Sequence, residues 1–117
     1  MTSPDVSRTN GSLTAEITRA AVGVFRDYTG RGPTKARTFL NENLVHVLLE
    51  DTLTTAERRL AEDGEEEFVL EMRRKFQRTM RDELVAAVED LCGRNVVAFM
   101  SDSSIEPDMA LETFVLE

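Results

Sequence analysis

Arg73 is the side chain least in keeping with its surroundings in this sequence. At about 100° per residue along a helix, it falls in the wedge occupied by Met72, Phe76, Met80 and Leu91, while Arg74, Arg78 and Arg81 fall on the opposite side. A guanidinium on an apolar stripe must reach out to the edge of what it packs on or pair with an acid, because burying it alone is costly. Its functional use would be different: an arginine held in a cleft to bind an anion or a partner's carboxylate. Arg74, Arg78 and Arg81 form a basic strip at i, i+4 and i+7, which reads as a solvated face or a docking stripe. The second group is the turn Gly30-Arg31-Gly32-Pro33. From a stiff loop Arg31 could recognise an anion or a protein partner, with Lys35 and Arg37 close behind on the following segment. His46 is the sole histidine and the only side chain whose ordinary pKa lies near neutral, so it is the candidate proton carrier. Arg73 with Arg37 or His46 would make a small anion site, for bicarbonate or a carboxylate metabolite.

The signatures of common catalysts are missing. The sequence has no GxSxG elbow, no GxxxxGK[ST] phosphate loop, no GxGxxG and no HExxH. The GRGP turn leads toward a strand, so it offers no helix N-terminus to phosphate as the glycine-rich loops do. Cys92, the one cysteine, precedes a helix end whose dipole disfavours a thiolate. One Cys and one His cannot build a Cys/His metal site. Acid pairs such as Asp51 with Glu57, or Asp102 with Asp108, arise by chance in a chain this acidic. No catalytic residue, no metal and no cofactor is expected.

Charge and hydropathy narrow the setting. In 117 residues, 14 Lys and Arg against 22 Asp and Glu give a net charge of −8. That sign repels nucleic-acid phosphates and anionic headgroups, so neither nucleic acid nor a lipid surface is an expected partner. A hydrophobic fraction of 41% suits a folded domain rather than an acidic tail. No apolar run approaches the roughly 18 residues of a membrane span, and residues 1–11 have no signal-peptide core. A cytoplasmic protein that does not itself insert into the membrane is expected.

The elements that must position these residues follow from periodicity. Residues 1–11 read as a flexible leader, and 12–117 as one domain. Leu13, Ile17, Ala20, Ala21, Val24, Phe25 and Tyr28 recur at helical steps, with Ser12 as the N-cap and Gly30 as the stop. Ala36, Thr38 and Leu40 alternate with Lys35, Arg37 and Phe39 in a first strand. Val45, Val47 and Leu49 alternate with Leu44, His46 and Leu48 in a second, across a turn at Asn41-Glu42-Asn43. Thr54 and Glu57 have the spacing of a capping box that opens a short helix reaching Ala61, ended by Gly64. Glu65-Glu66-Glu67 begins a longer helix with the stripe Val69, Met72, Phe76, Met80, Leu84, Ala87, Val88 and Leu91, which Gly93 stops. Residues 96–100 read as a buried strand, 101–108 as a loop, and 111–116 as a final strand. The order α-ββ-α-α-ββ predicts an α+β two-layer sandwich, a mostly antiparallel four-stranded sheet with helices on one face.

Several of these stretches together resemble the bacterial MpsC-type family: Tyr28-Thr29-Gly30-Arg31-Gly32-Pro33, Leu53-Thr54-Thr55-Ala56-Glu57, Met72-Arg73, Leu91-Cys92-Gly93 and Phe114-Val115-Leu116. The resemblance spans nearly the whole chain after Ser12, with the GRGP turn and the LTxxE helix start its most specific pieces. It implies association with a sodium-translocating, membrane-potential-generating system, whose partners include a membrane subunit similar to cation/proton antiporters. It brings no ligand and no catalytic residue. The expected function is therefore a non-enzymatic accessory or regulatory domain that self-associates as a homodimer. It would dock on protein partners, membrane-system subunits among them, through Arg31, Gly32 and Pro33 and the exposed sheet or long helix. A small-anion sensor built on Arg37, His46 and Arg73 is the alternative.

Overall fold

The computed structural model describes residues 10–117, so most of the expected leader lies outside the described residues. The elements are α1 (Asn10–Thr29), β1 (Lys35–Asn41), β2 (Leu44–Glu50), α2 (Thr55–Glu62), α3 (Glu66–Cys92), β3 (Val96–Ser104) and β4 (Met109–Leu116). The four strands form one antiparallel sheet in the order β1-β2-β4-β3, built from two hairpins, with α1 and α3 packed on one face. This is the expected α+β sandwich.

Alternation places Val45, Val47 and Leu49 of β2, and Ala110, Phe114 and Leu116 of β4, on the covered face. Onto them α1 lays Ile17, Ala21 and Phe25, and α3 lays Met80, Leu84 and Val88. Each fully buried large side chain of this set contributes roughly 1.5–3 kcal/mol. Phe99 of β3 tilts against Phe114 with ring centroids 5.1 Å apart. Two polar contacts register α1 on this core: Thr18 and Thr38 hydroxyls at 2.7 Å, and the Tyr28 hydroxyl donating to Glu83 Oε1 at 2.6 Å.

Four expectations change. Helix α1 is already formed at Asn10, so Ser12 lies inside it and is not the N-cap. The strand at 96–100 is an edge strand with Val97 and Met100 60% and 54% exposed, not a buried one. It also continues through Ser101–Ser104, residues that read as loop, because β4 supplies a ladder partner for each and the inward Ser101 and Ser103 hydroxyls find acceptors or donors beneath the sheet. Finally, the inward stripe of α3 runs Val69, Arg73, Gln77, Met80, Leu84, Val88, so two of its first three positions are polar, and Met72 and Phe76 flank it half-buried.

Candidate functional site

Polar side chains of the fold concentrate where the segment 51–54 leaves β2 and enters α2. Gly30, at φ 80°, ends α1 in the left-handed region that favours glycine, and turns the chain so that Arg31 points at this segment. Arg31 Nη1 donates to the Asp51 and Leu53 carbonyls at 2.7 and 2.9 Å, and Nη2 to Asp51 Oδ2 at 2.8 Å. A Cβ at Gly32 would stand 3.6 Å from the Val22 and Arg26 side chains, and Pro33 is half-buried beside it. The turn is a clasp between α1 and the β2–α2 connection, and three of the five donors of Arg31 are used inside the fold. The Arg31 hydrogen bond, with those of Thr34 and the Arg58 charge, holds the Asp51 carboxyl below the ordinary carboxylate value.

Asp108, from the β3–β4 loop, grips the same segment from the other side. Its carboxylate accepts from the Thr52 amide (3.0 Å), the Thr52 hydroxyl (2.9 Å) and the Leu53 amide (3.1 Å), and Arg58 lies 3.4 Å away. The capping box forms as the spacing predicts: the Glu57 amide donates to Thr54 Oγ1 at 3.2 Å, and the Thr54 amide to Glu57 Oε1 at 2.8 Å. Glu57 is buried, and the same oxygen sits 3.6 Å from Arg73 Nη1.

Arg73 thus resolves toward pairing with an acid. It is 3% exposed, donates to the Thr52 hydroxyl, pairs with Glu57 and lies 5.6 Å from the Phe25 ring centroid. None of the described cavities is lined by it. A second carboxylate shares its field: Glu112 of β4, which faces the core beside Val47 and is 0% exposed. Ser101 donates to Glu112 Oε1 at 2.5 Å, while Glu112 Oε2 and Glu57 Oε2 have no hydrogen-bond partner among the described residues. Burial pushes the Glu112 carboxyl up to about 7, against the opposing pull of Ser101 and Arg73. Sequence reasoning missed Glu112, because either face of β4 offered three residues to the core and nothing local chose between them. It missed Asp108 and Gln77 as well, whose partners are distant in the chain.

The bare face of the sheet carries the other candidates. Register aligns its residues in rows across all four strands: Arg37-Leu48-Leu111-Asp102, Phe39-His46-Thr113-Met100 and Asn41-Leu44-Val115-Ala98. Arg37 stacks 5.4 Å from the Phe39 ring, and His46 Nδ1 lies 3.1 Å from the Thr113 hydroxyl. Arg37 and His46 therefore share the bare face, whereas Arg73 lies under the covered one. The sheet separates them, and the three do not converge on one anion. On this face Phe39 and Met100, on the outer strands, and Leu111, on the inner strand β4, are 48%, 54% and 39% exposed. Lys35, Arg37, Glu50 and Asp102 stand at its margins.

Among the described residues, no helix is long and apolar enough to cross a membrane, and no three His, Cys, Asp or Glu side chains group so as to hold a metal ion. Cys92 is half-buried at the end of α3. No curated protein and no solved structure matches the chain. A sequence model described as the Na+-translocating membrane potential-generating system (MpsC) matches residues 9–117, essentially the whole chain, and the protein belongs to that MpsC family.

Proposed function

We propose that this chain is a non-enzymatic accessory domain, working in the cytoplasm, that docks on a protein component of the Na+-translocating system through the bare face of its sheet. Family membership supports the association with that system. The observation that carries the docking reading is the pattern of this face. A solvated face of an antiparallel sheet alternates to polar residues. Here Leu44, Leu48, Leu111 and Val115 stand on its two inner strands, and Phe39 and Met100 on its outer ones. Exposed apolar side chains bordered at one end by Lys35, Arg37, Glu50 and Asp102 suit a protein interface, and the mixed charge there suits a protein partner rather than a lipid surface.

The Arg31 turn takes no part in this reading, because its guanidinium is held by Asp51 and Leu53. The test is co-purification of tagged chain from native cells, with membrane subunits of the system identified by mass spectrometry. The parent chain is expected to recover them, and Phe39→Glu with Leu111→Glu to lose them while keeping the parent's circular dichroism. Arg37→Glu, at the rim, checks the result with no apolar side chain removed. Recovery of no system subunit by the parent, or equal recovery by every variant, overturns the reading.

A further inference from the structure

Strand β3 ends the sheet, so one side of its ladder is unpaired. Natural edge strands are commonly blunted by charge, proline or a bulge. Strand β3 has a bulge between Val96 and Ala98, and its Val96 amide donates to Glu89 Oε2, but beyond the bulge residues 98–101, Ala-Phe-Met-Ser, contain neither charge nor proline. Helix α3 overhangs this edge. Between the two runs a groove made of two cavities, about 340 Å³ lined by Arg74, Gln77, Arg78, Arg81, Phe99 and Ser101, and about 280 Å³ reaching Asp82, Val85, Glu89 and Val97. Arg81 and Phe99 line both, so they mark its midpoint.

The groove is polarised along its length. Its first half carries Arg74, Arg78 and Arg81, and its second half Asp82 and Glu89. Arg78 and Arg81 make no ion pair among the described residues. We propose that the occupant is a second copy of this chain, its β3 pairing antiparallel with this β3 about a two-fold axis at Phe99, which joins the two sheets into one of eight strands.

Charge complementarity singles out that occupant. A two-fold axis that passes β3 at Phe99 and α3 between Arg81 and Asp82 brings Arg81 opposite Asp82 of the second copy. The same axis sets Arg74, which also pairs with Glu71 at 3.0 Å, opposite its Glu89, whose Oε2 accepts from the Val96 amide, and Arg78 opposite its Val85. The scales agree: three strand residues from Phe99 to Val96 span about 10 Å, and the helix from the axis to Glu89 spans about 11 Å. Each contact occurs twice, as a self-complementary interface requires. An all-basic groove would repel its own copy and call for an acidic stranger. This one is basic at one end and acidic at the other, in the order that antiparallel self-pairing uses. The bare faces of both copies stay free, so this inference does not depend on the docking reading above, and its test measures association of the pure chain.

The test is sedimentation equilibrium of the full chain at low salt, with two charge reversals. The parent is expected to dimerise, and Arg81→Glu and Asp82→Arg are each expected to weaken the dimer by about tenfold or more, since each places like charges at both symmetry-related contacts. Both positions are exposed, so the variants keep the fold. Mixing the two variants is the decisive step, because Glu at 81 of one then faces Arg at 82 of the other, and Arg at 81 faces Asp82. A heterodimer stronger than either variant alone supports the arrangement. A monomeric parent, a dimer indifferent to both reversals, or a mixture no stronger than its parts overturns it. A monomeric parent that binds an acidic peptide would give the groove to a different protein.

Discussion

Replacing Glu112 by Gln should make the protein more stable at pH 8 and nearly unchanged at pH 5. The carboxyl is fully enclosed, has one oxygen taken by Ser101 and one unpartnered, and must share Arg73 with Glu57. Burial raises it from 4.5 to about 7. Below pH 4.5 folded and unfolded chains both hold this proton, and above about 7 neither does. Between the two the unfolded chain has lost the proton and the folded one retains it, so each rise in pH favours unfolding. Over that window the loss reaches about 3 kcal/mol, a large share of the stability of a domain this size. Gln keeps an acceptor for the Ser101 hydroxyl and cannot ionise. Urea unfolding of parent and variant at pH 5, 6, 7 and 8 isolates the effect, because every other carboxylate cancels in the difference. The parent should fall behind the variant progressively to pH 7 and then run parallel to it. A difference that is flat with pH refutes the burial argument. One of the opposite sign would mean that Arg73 holds Glu112 ionised, as it would a surface carboxylate.

Two further substitutions probe the same end of the sheet. Arg73→Met keeps the volume but strands Glu57 in the core, and should cost about 3–5 kcal/mol in urea unfolding; adding Glu57→Gln should recover a substantial part of that, a non-additivity absent if the two side chains act independently. Asp108→Ala leaves the Thr52 and Leu53 amides and the Thr52 hydroxyl without their acceptor. It should cost about 2–3 kcal/mol and speed hydrogen exchange selectively at those two amides, and uniform acceleration across the sheet would refute a local role.

Local rules made the architecture legible. The 3.6 and 2.0 periods located the helices and strands, the Thr54–Glu57 box formed as its spacing demands, and Gly30, Gly64 and Gly93 stop their helices with positive φ. Arg73 could be flagged as misplaced from its helical phase alone, and pairing with an acid was one of the two outcomes that phase allowed. The acid itself was out of reach, because Glu57 looks fully used by its capping role, and serves Arg73 with the same oxygen. What stayed hidden is non-local in every instance. Ser101 and Ser103 look like loop residues until β4 pairs with them, and which face of β4 goes inward, that of Glu112 or that of Leu111, is open until the β2 register settles it. Arg31 looks like a surface recognition residue until the segment 51–54 arrives beneath it.

That last contact bears on what the family signature encodes. The two most specific pieces of the MpsC resemblance, the GRGP turn and the LTxxE helix start, are 20 residues apart in the chain, and Arg31 bonds directly to the Leu53 carbonyl with which the second piece begins. They are two halves of one clasp. Arg58, Asp108, Thr52 and Arg73 complete it, and through Arg73 it fixes the first half of α3 over the sheet. The arginines of this acidic protein accordingly divide by task. Arg31, Arg58 and Arg73 are consumed in holding the segment 51–54, whereas Arg37, Arg74, Arg78 and Arg81 point away from the core. Guanidiniums engaged by internal carbonyls and carboxylates have fewer of their five donors free for a partner. Recognition, as proposed above, accordingly lies outside the two motif pieces, on the bare sheet face and in the α3–β3 groove, and the clasp is left to hold α3 on the sheet.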